Sequence, residues 1–210
     1  GASSRYFCQS VMPDDYQYDI FLSYRRPNPV GDWVKNHFHP LLAEWLPQVM
    51  PYDPKIFIDT ENIETSEEWP LKLRQAILGS RCIVAVWSAN YFRSSWCMAE
   101  WKSMAKREEL LGYRTSSNPA GLVYPVVFFD GEHFPPEAKR IQSRDLSRWS
   151  HPYPSFRETQ DFIDFTEEVK GIAEEIWGVI KKAPSWQPGW PVVLPDLENQ
   201  VVPVTFPRLQ

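Results

Sequence analysis

Four short apolar runs, each separated from the next by enough chain to hold a helix, constrain this sequence more than any other feature. Residues 18–24, 55–59, 82–87 and 122–129 are rich in the aromatic and branched residues that suit buried strands. The run at 82–87 is apolar throughout, as a strand covered on both faces requires. The intervening stretches are too long for hairpins, so the strands must be joined by crossovers and lie parallel. This implies an α/β fold with helices on both faces of a parallel sheet.

The connections support this reading. From Asp32, a candidate N-cap, Val34, Phe38, Leu41, Leu42 and Trp45 fall at helical spacing, with Pro40 expected to disturb the middle. Residues 60–68 read as a polar loop leading into a helix over 69–78, with Pro70 in its first turn and Gly79 closing it. Ser94 or Ser95 can cap a helix running to about Leu111, and residues 112–121 read as a loop. Residues 132–154 are polar and interrupted by proline, and their pattern assigns no element. Phe162, Phe165, Val169, Ile172, Ala173, Ile176 and Ile180 then recur at steps of three and four, the clearest amphipathic helix in the chain. One domain over 18–182 is expected, preceded by an extension over 1–17. A Pro-rich tail over 183–210 reads as an extended linker in preference to a segment packed back on the core.

Several function classes are excluded. A net charge of -5 does not suit phosphate-backbone binding, so no nucleic acid is expected as a partner. No apolar run approaches the roughly 20 residues of a membrane span, so no membrane partner is expected. Cys8, Cys82 and Cys97 form neither a CxxC pair nor a ligand set with the four histidines, which argues against metal and against a disulfide framework. Those cysteines suit a reducing cytoplasm.

In open parallel sheets, sites form beyond the carboxyl ends of the strands. Tyr24, Arg25 and Arg26 close the first strand, Asp59 the second, and Ser88 comes just after the third. Trp96 and Glu100, four residues apart on the next helix, share a face. Arginines, carboxylates and aromatic rings on one rim make a pocket for a nucleotide. Each residue also has a plainer reading. Glu100 could be a solvated helix residue, Trp96 a core residue, and Arg25 and Arg26 a solvated pair beside acids such as Asp32. Asp59 could simply cap its loop, and Cys97 reads as a small buried hydrophobe rather than a nucleophile.

Taken in order, Tyr18-Asp19-Ile20-Phe21-Leu22-Ser23-Tyr24, Ile56-Phe57-Ile58-Asp59, the Ile63 and Trp69 spacing, and Ser95-Trp96-Cys97-Met98-Ala99-Glu100 resemble the successive boxes of Toll/interleukin receptor (TIR) domains. The resemblance covers about residues 18–182 and implies a flavodoxin-like, doubly wound sheet of about five parallel strands. It also implies NAD+ as substrate rather than bound cofactor. Glu100 takes the position of the catalytic glutamate, and Tyr24, Arg25, Arg26, Asp59, Glu64, Ser88 and Trp96 take substrate-binding positions. Self-association with other TIR domains, and a role in bacterial anti-phage defence or cell-death signalling, are implied in the same way. The rival reading within that family is a TIR domain that only recruits other TIR domains. One departure stands out. The loop after the second strand has Ser66, or Thr65, where the family usually has glycine, so its path is expected to differ.

Overall fold

The protein is described by a computed structural model over residues 15–59, 71–129 and 131–195. Five parallel strands form one sheet: β1 (Tyr18–Tyr24), β2 (Ile56–Ile58), β3 (Ser80–Trp87), β4 (Val123–Val127) and β5 (Arg144–Asp145), in the order β2-β1-β3-β4-β5. The strand order runs in opposite directions either side of β1 and β3, which makes the sheet doubly wound. The expected flavodoxin-like α/β fold is the observed one. In register, Tyr24 lies beside Val86, Leu22 beside Ile58, and Trp87 beside Val127, so the carboxyl ends of the central strands form a common rim.

The period of two along β1 divides the core. Ile20, Leu22 and Tyr24 face one layer, with Val84, Val86 and Val126 from neighbouring strands. That layer is closed by α1 (Val30–Trp33), α2 (His39–Val49) and α6 (Gln160–Lys181). Phe21, Ile83, Ala85 and Trp87 face the other layer, under α3 (Leu71–Leu78) and α4 (Ser95–Leu110). Helix α6 carries the amphipathic repeat found in the sequence, and Phe165, Val169, Ile172, Ala173, Ile176 and Ile180 are all buried.

Several expectations are corrected. Asp32 does not cap the first helix; the helix begins at Val30, and Asp32 sits in its first turn with its N–H donating to Asn28 Oδ1 at 3.1 Å. Pro40 does not break the helical path from α1 into α2. Residues Val34–Phe38 form a π-helical segment in which His39 N–H reaches back to Val34 O, and this widened turn absorbs the proline's missing donor. Residues 132–154 contain α5 (Pro136–Lys139), the fifth strand and a 3-10 turn at Ser147–Trp149. Proline and short element length hid them from the sequence pattern. The tail, expected to extend away, instead returns to the body over its described part. Trp190 is buried against the Arg107 guanidinium, 4.9 Å from ring centroid to guanidinium carbon, and Val193 N–H donates to Ser103 Oγ at 2.9 Å. The large aromatic ring of Trp190 supplies the burial. No described helix is long and apolar enough to cross a membrane.

Candidate active site

Ser23 is the one hydroxyl residue within β1 besides its terminal tyrosines, and by the strand's alternation it points to the same layer as Phe21, beneath α4. A buried hydroxyl needs partners. It finds two: its O–H donates to Glu100 Oε2 at 2.5 Å, and its oxygen lies 2.8 Å from Tyr91 OH. Glu100 lies on the buried stripe of α4, which also holds Trp96, Cys97, Ser103, Met104 and Arg107. The helix is set by Ser94, whose side chain accepts the Cys97 N–H at 3.2 Å, deciding between the two candidate caps. Glu100 is 5% exposed, so the solvated reading of that residue does not describe it.

Burial pushes the Glu100 carboxyl up to about 7; the Ser23 hydrogen bond and the Arg26 charge oppose this, and Asp59 adds to it. A buried carboxyl shifted in this direction at the end of a cleft-forming rim is a candidate functional group.

Beside it, Arg26 and Asp59 form a buried ion pair, Nη2 to Oδ2 at 2.6 Å, joining the chain just past β1 to the end of β2. Tyr24 OH donates to the Asp59 carbonyl at 2.9 Å, and Lys72 at the start of α3 places its ammonium 3.3 Å from Asp59 Oδ1. Asp59 is therefore a charge anchor rather than a simple loop cap. The Arg26 guanidinium lies over the Trp96 ring at 5.7 Å, so Trp96 is at once a core residue and the floor under a cation. Arg26 pairs with Asp59 rather than with Asp32, and Arg25, half-buried at the same turn, adds positive field toward Cys97. The turn carrying both arginines is held by Gly31: a Cβ there would lie 1.8 Å from the Arg26 carbonyl oxygen, so only glycine permits this closeness.

Five of the expected residues, Tyr24, Arg26, Asp59, Trp96 and Glu100, thus meet around one rim. Ser88 is at the end of β3, but its hydroxyl donates to Asn90 Oδ1, within its own turn. Glu64, Ser66 and Trp69, with the loop over 60–68, lie outside the described residues. Burial pushes the Cys97 thiol far up, in keeping with an inert buried side chain. Among the described residues no three His, Cys, Asp or Glu side chains gather as a metal-binding set.

Sequence reasoning missed Ser23, Tyr91 and Lys72. Ser23 was visible as the polar residue in an otherwise apolar strand interior. Tyr91 lies in the turn after β3, where no periodicity points to it.

No curated protein matches the chain. Among solved structures, it is similar to the TIR domains of the activated Roq1 resistosome, which directly recognises the pathogen effector XopQ. That likeness has a TM-score of 0.36 and 22% identity, covering 79% of this chain and 85% of the other. It is also similar to the TIR domain of the Toll-related receptor TRR-2 from the lower metazoan Hydra magnipapillata. There the TM-score is 0.42 and the identity 16%, over 73% of this chain and 98% of the other. The profile of the TIR domain family matches residues 20–162. The chain belongs to the TIR domain family.

Proposed function

We propose that this TIR domain cleaves NAD+ at the bond between nicotinamide and ribose, with Glu100 as the catalytic carboxylate. The observation that carries this reading is a buried carboxylate at the carboxyl ends of the parallel strands, held by one hydroxyl and set beside a paired arginine. When that bond breaks, its electrons pass to the nicotinamide nitrogen, cancelling the positive charge there, so the leaving group needs no proton. The ribose C1′ becomes oxocarbenium-like, and a carboxylate in a water-poor site stabilises that developing charge. Attack by water, with loss of its proton, gives ADP-ribose; attack by an adenine nitrogen gives a cyclic ADP-ribose. Arg26, and Arg25 beside it, face the phosphates, Trp96 floors the site, and Tyr24 and Asp59 hold the arginine in place. Glu64 and Ser88 complete the proposed substrate contacts. Self-assembly of TIR domains as the activating event, and a place in bacterial anti-phage defence or cell-death signalling in the cytoplasm, belong to the same proposal.

The ionised form is the working form, so the rate is expected to rise with pH through about 7. The test is nicotinamide release from NAD+ at high protein concentration and with a crowding agent. Release that disappears in Glu100→Gln, with the fold intact, supports the enzyme. No release from the native chain under any assembling condition leaves the recruitment-only module.

A further inference from the structure

We propose that Tyr91 and Ser23 form a positioning arm that holds the ionised Glu100 carboxylate in place, with Tyr91 acting on the carboxylate only through Ser23. The inference deepens the reading of Glu100 as the catalytic carboxylate and rests on it for its functional meaning.

The three groups lie on three separate elements: Ser23 on β1, Tyr91 in the turn after β3, and Glu100 on α4. All are buried, Tyr91 completely. An ionised carboxylate can only accept hydrogen bonds, and Ser23 has a single O–H, which it donates to Glu100 Oε2. The remaining proton between Ser23 and Tyr91 therefore comes from the phenol. With Glu100 ionised, the chain therefore runs from phenol to hydroxyl to carboxylate, and each donor polarises the next.

Tyr91 is itself rigidly seated. Its N–H donates to Ser88 O at 3.0 Å, its carbonyl accepts the Ser94 N–H at 3.1 Å, and its ring meets Phe92 edge-on. Phe92 in turn packs on Trp87, Trp101 and Phe134. The arm thus joins the turn that also carries the cap of α4 to the carboxylate one turn into that helix. Other groups also bear on Glu100: Arg26 and Asp59 from the ends of β1 and β2, Tyr24, and Cys97 on its own helix, with Arg25 acting on Cys97. None of these is an O–H donor to the carboxylate, which sets Ser23 apart.

The test is the titration of Glu100 itself, without substrate, by carbon NMR of protein labelled at the glutamate carboxyl, with the Glu100 signal identified by its loss in Glu100→Gln. In Ser23→Ala the midpoint is expected to rise by about one pH unit, the loss of one hydrogen bond to a charged acceptor. In Tyr91→Phe, which keeps the ring packing, it rises by a few tenths of a unit. Ser23→Thr restores the native midpoint. The acid limb of kcat/KM for NAD+ cleavage moves by the same amounts, which a purely structural role would not produce. An unmoved midpoint in Ser23→Ala, or in Tyr91→Phe if Ser23→Ala does not fold, overturns the arm. Shifted midpoints with no nicotinamide release from the native protein uphold the arm and overturn the catalytic reading alone.

Discussion

Helix α4 buries a glutamate at each end, and the two are treated very differently. Glu108, near its carboxyl terminus, accepts the N–H groups of Leu122 and Val123 on one oxygen at 2.6 and 2.7 Å, and Arg114 Nε on the other at 2.7 Å. Its neighbour Arg107 donates to the carbonyls of Ser80 and Ile77. Those groups tie the helix to the start of β4 and to the turn between α3 and β3, and every bond goes to a fixed backbone group or a paired charge. Glu100, two turns earlier and equally buried, has among the described residues one donor, Ser23. One end of the helix satisfies its charge, and the other keeps a carboxyl under-satisfied with its affinity for a proton raised. The two equally buried carboxylates differ in how many donors each is given.

The largest way to break this comparison is Glu108→Ala. It leaves two backbone N–H groups without acceptors and Arg114 without its partner, and is expected to cost about 3 kcal/mol or more in denaturant unfolding. A cost below ~1 kcal/mol would show that water replaces those bonds and that Glu108 is not the anchor of β4.

Glu100→Gln is expected to act in the opposite sense. The carboxyl of Glu100 is raised from 4.5 in the unfolded chain to about 7 in the fold, so the native state holds its proton more firmly. Its contribution to stability is fully present below pH 4.5 and is lost as pH rises through about 7, a total of about 3 kcal/mol. The glutamine variant carries no such loss. The two proteins should match near pH 4, and the variant should be the more stable by up to ~3 kcal/mol at pH 8. Urea unfolding at the two pH values checks this, and a variant less stable at pH 8 would refute the under-satisfied carboxyl.

The contrast between the two glutamates is only partly legible in the sequence. Glu100 lies on the same stripe of α4 as Trp96, Cys97 and Met104, so its burial can be inferred from helical spacing once that stripe is traced. The parallel sheet and the convergence of Tyr24, Arg26 and Asp59 can be inferred from where the apolar runs end, because parallel strands share their carboxyl ends. Ser23 is readable as a polar interruption of a buried strand. Tyr91 is not, since its position depends on the path of a turn and on an aromatic cluster drawn from β3, α4 and the chain after β4. The tail misled for a related reason: proline marks where a chain cannot pair, but says nothing about where Trp190 finds cover.

That cover offers a smaller test, at the structural end of α4. Trp190→Ala removes a buried ring stacked on Arg107 and is expected to cost about 2 kcal/mol in unfolding experiments, from lost burial and the cation–π contact. The Glu100 titration midpoint should stay where it is, because Arg107 lies two turns further along the helix and bonds there to Ser80 and Ile77. A shift of that midpoint would mean that the two ends of α4 are coupled rather than independent.

The smallest effect is expected at the margin of the Glu100 end. Lys72 approaches Asp59 at 3.3 Å, but its side chain is 43% exposed, whereas the Arg26 partner of the same carboxylate is buried at 2.6 Å. Water screens the first pair and not the second. Lys72→Ala should therefore cost less than ~0.5 kcal/mol, a difference that shrinks further in roughly 1 M salt. Arg26 remains on Asp59 in that variant, so the positive charge that faces Glu100 persists. A loss in Lys72→Ala as large as that of Glu108→Ala, and insensitive to salt, would place Lys72 with the fixed groups of the structural end and undo the division drawn along this helix.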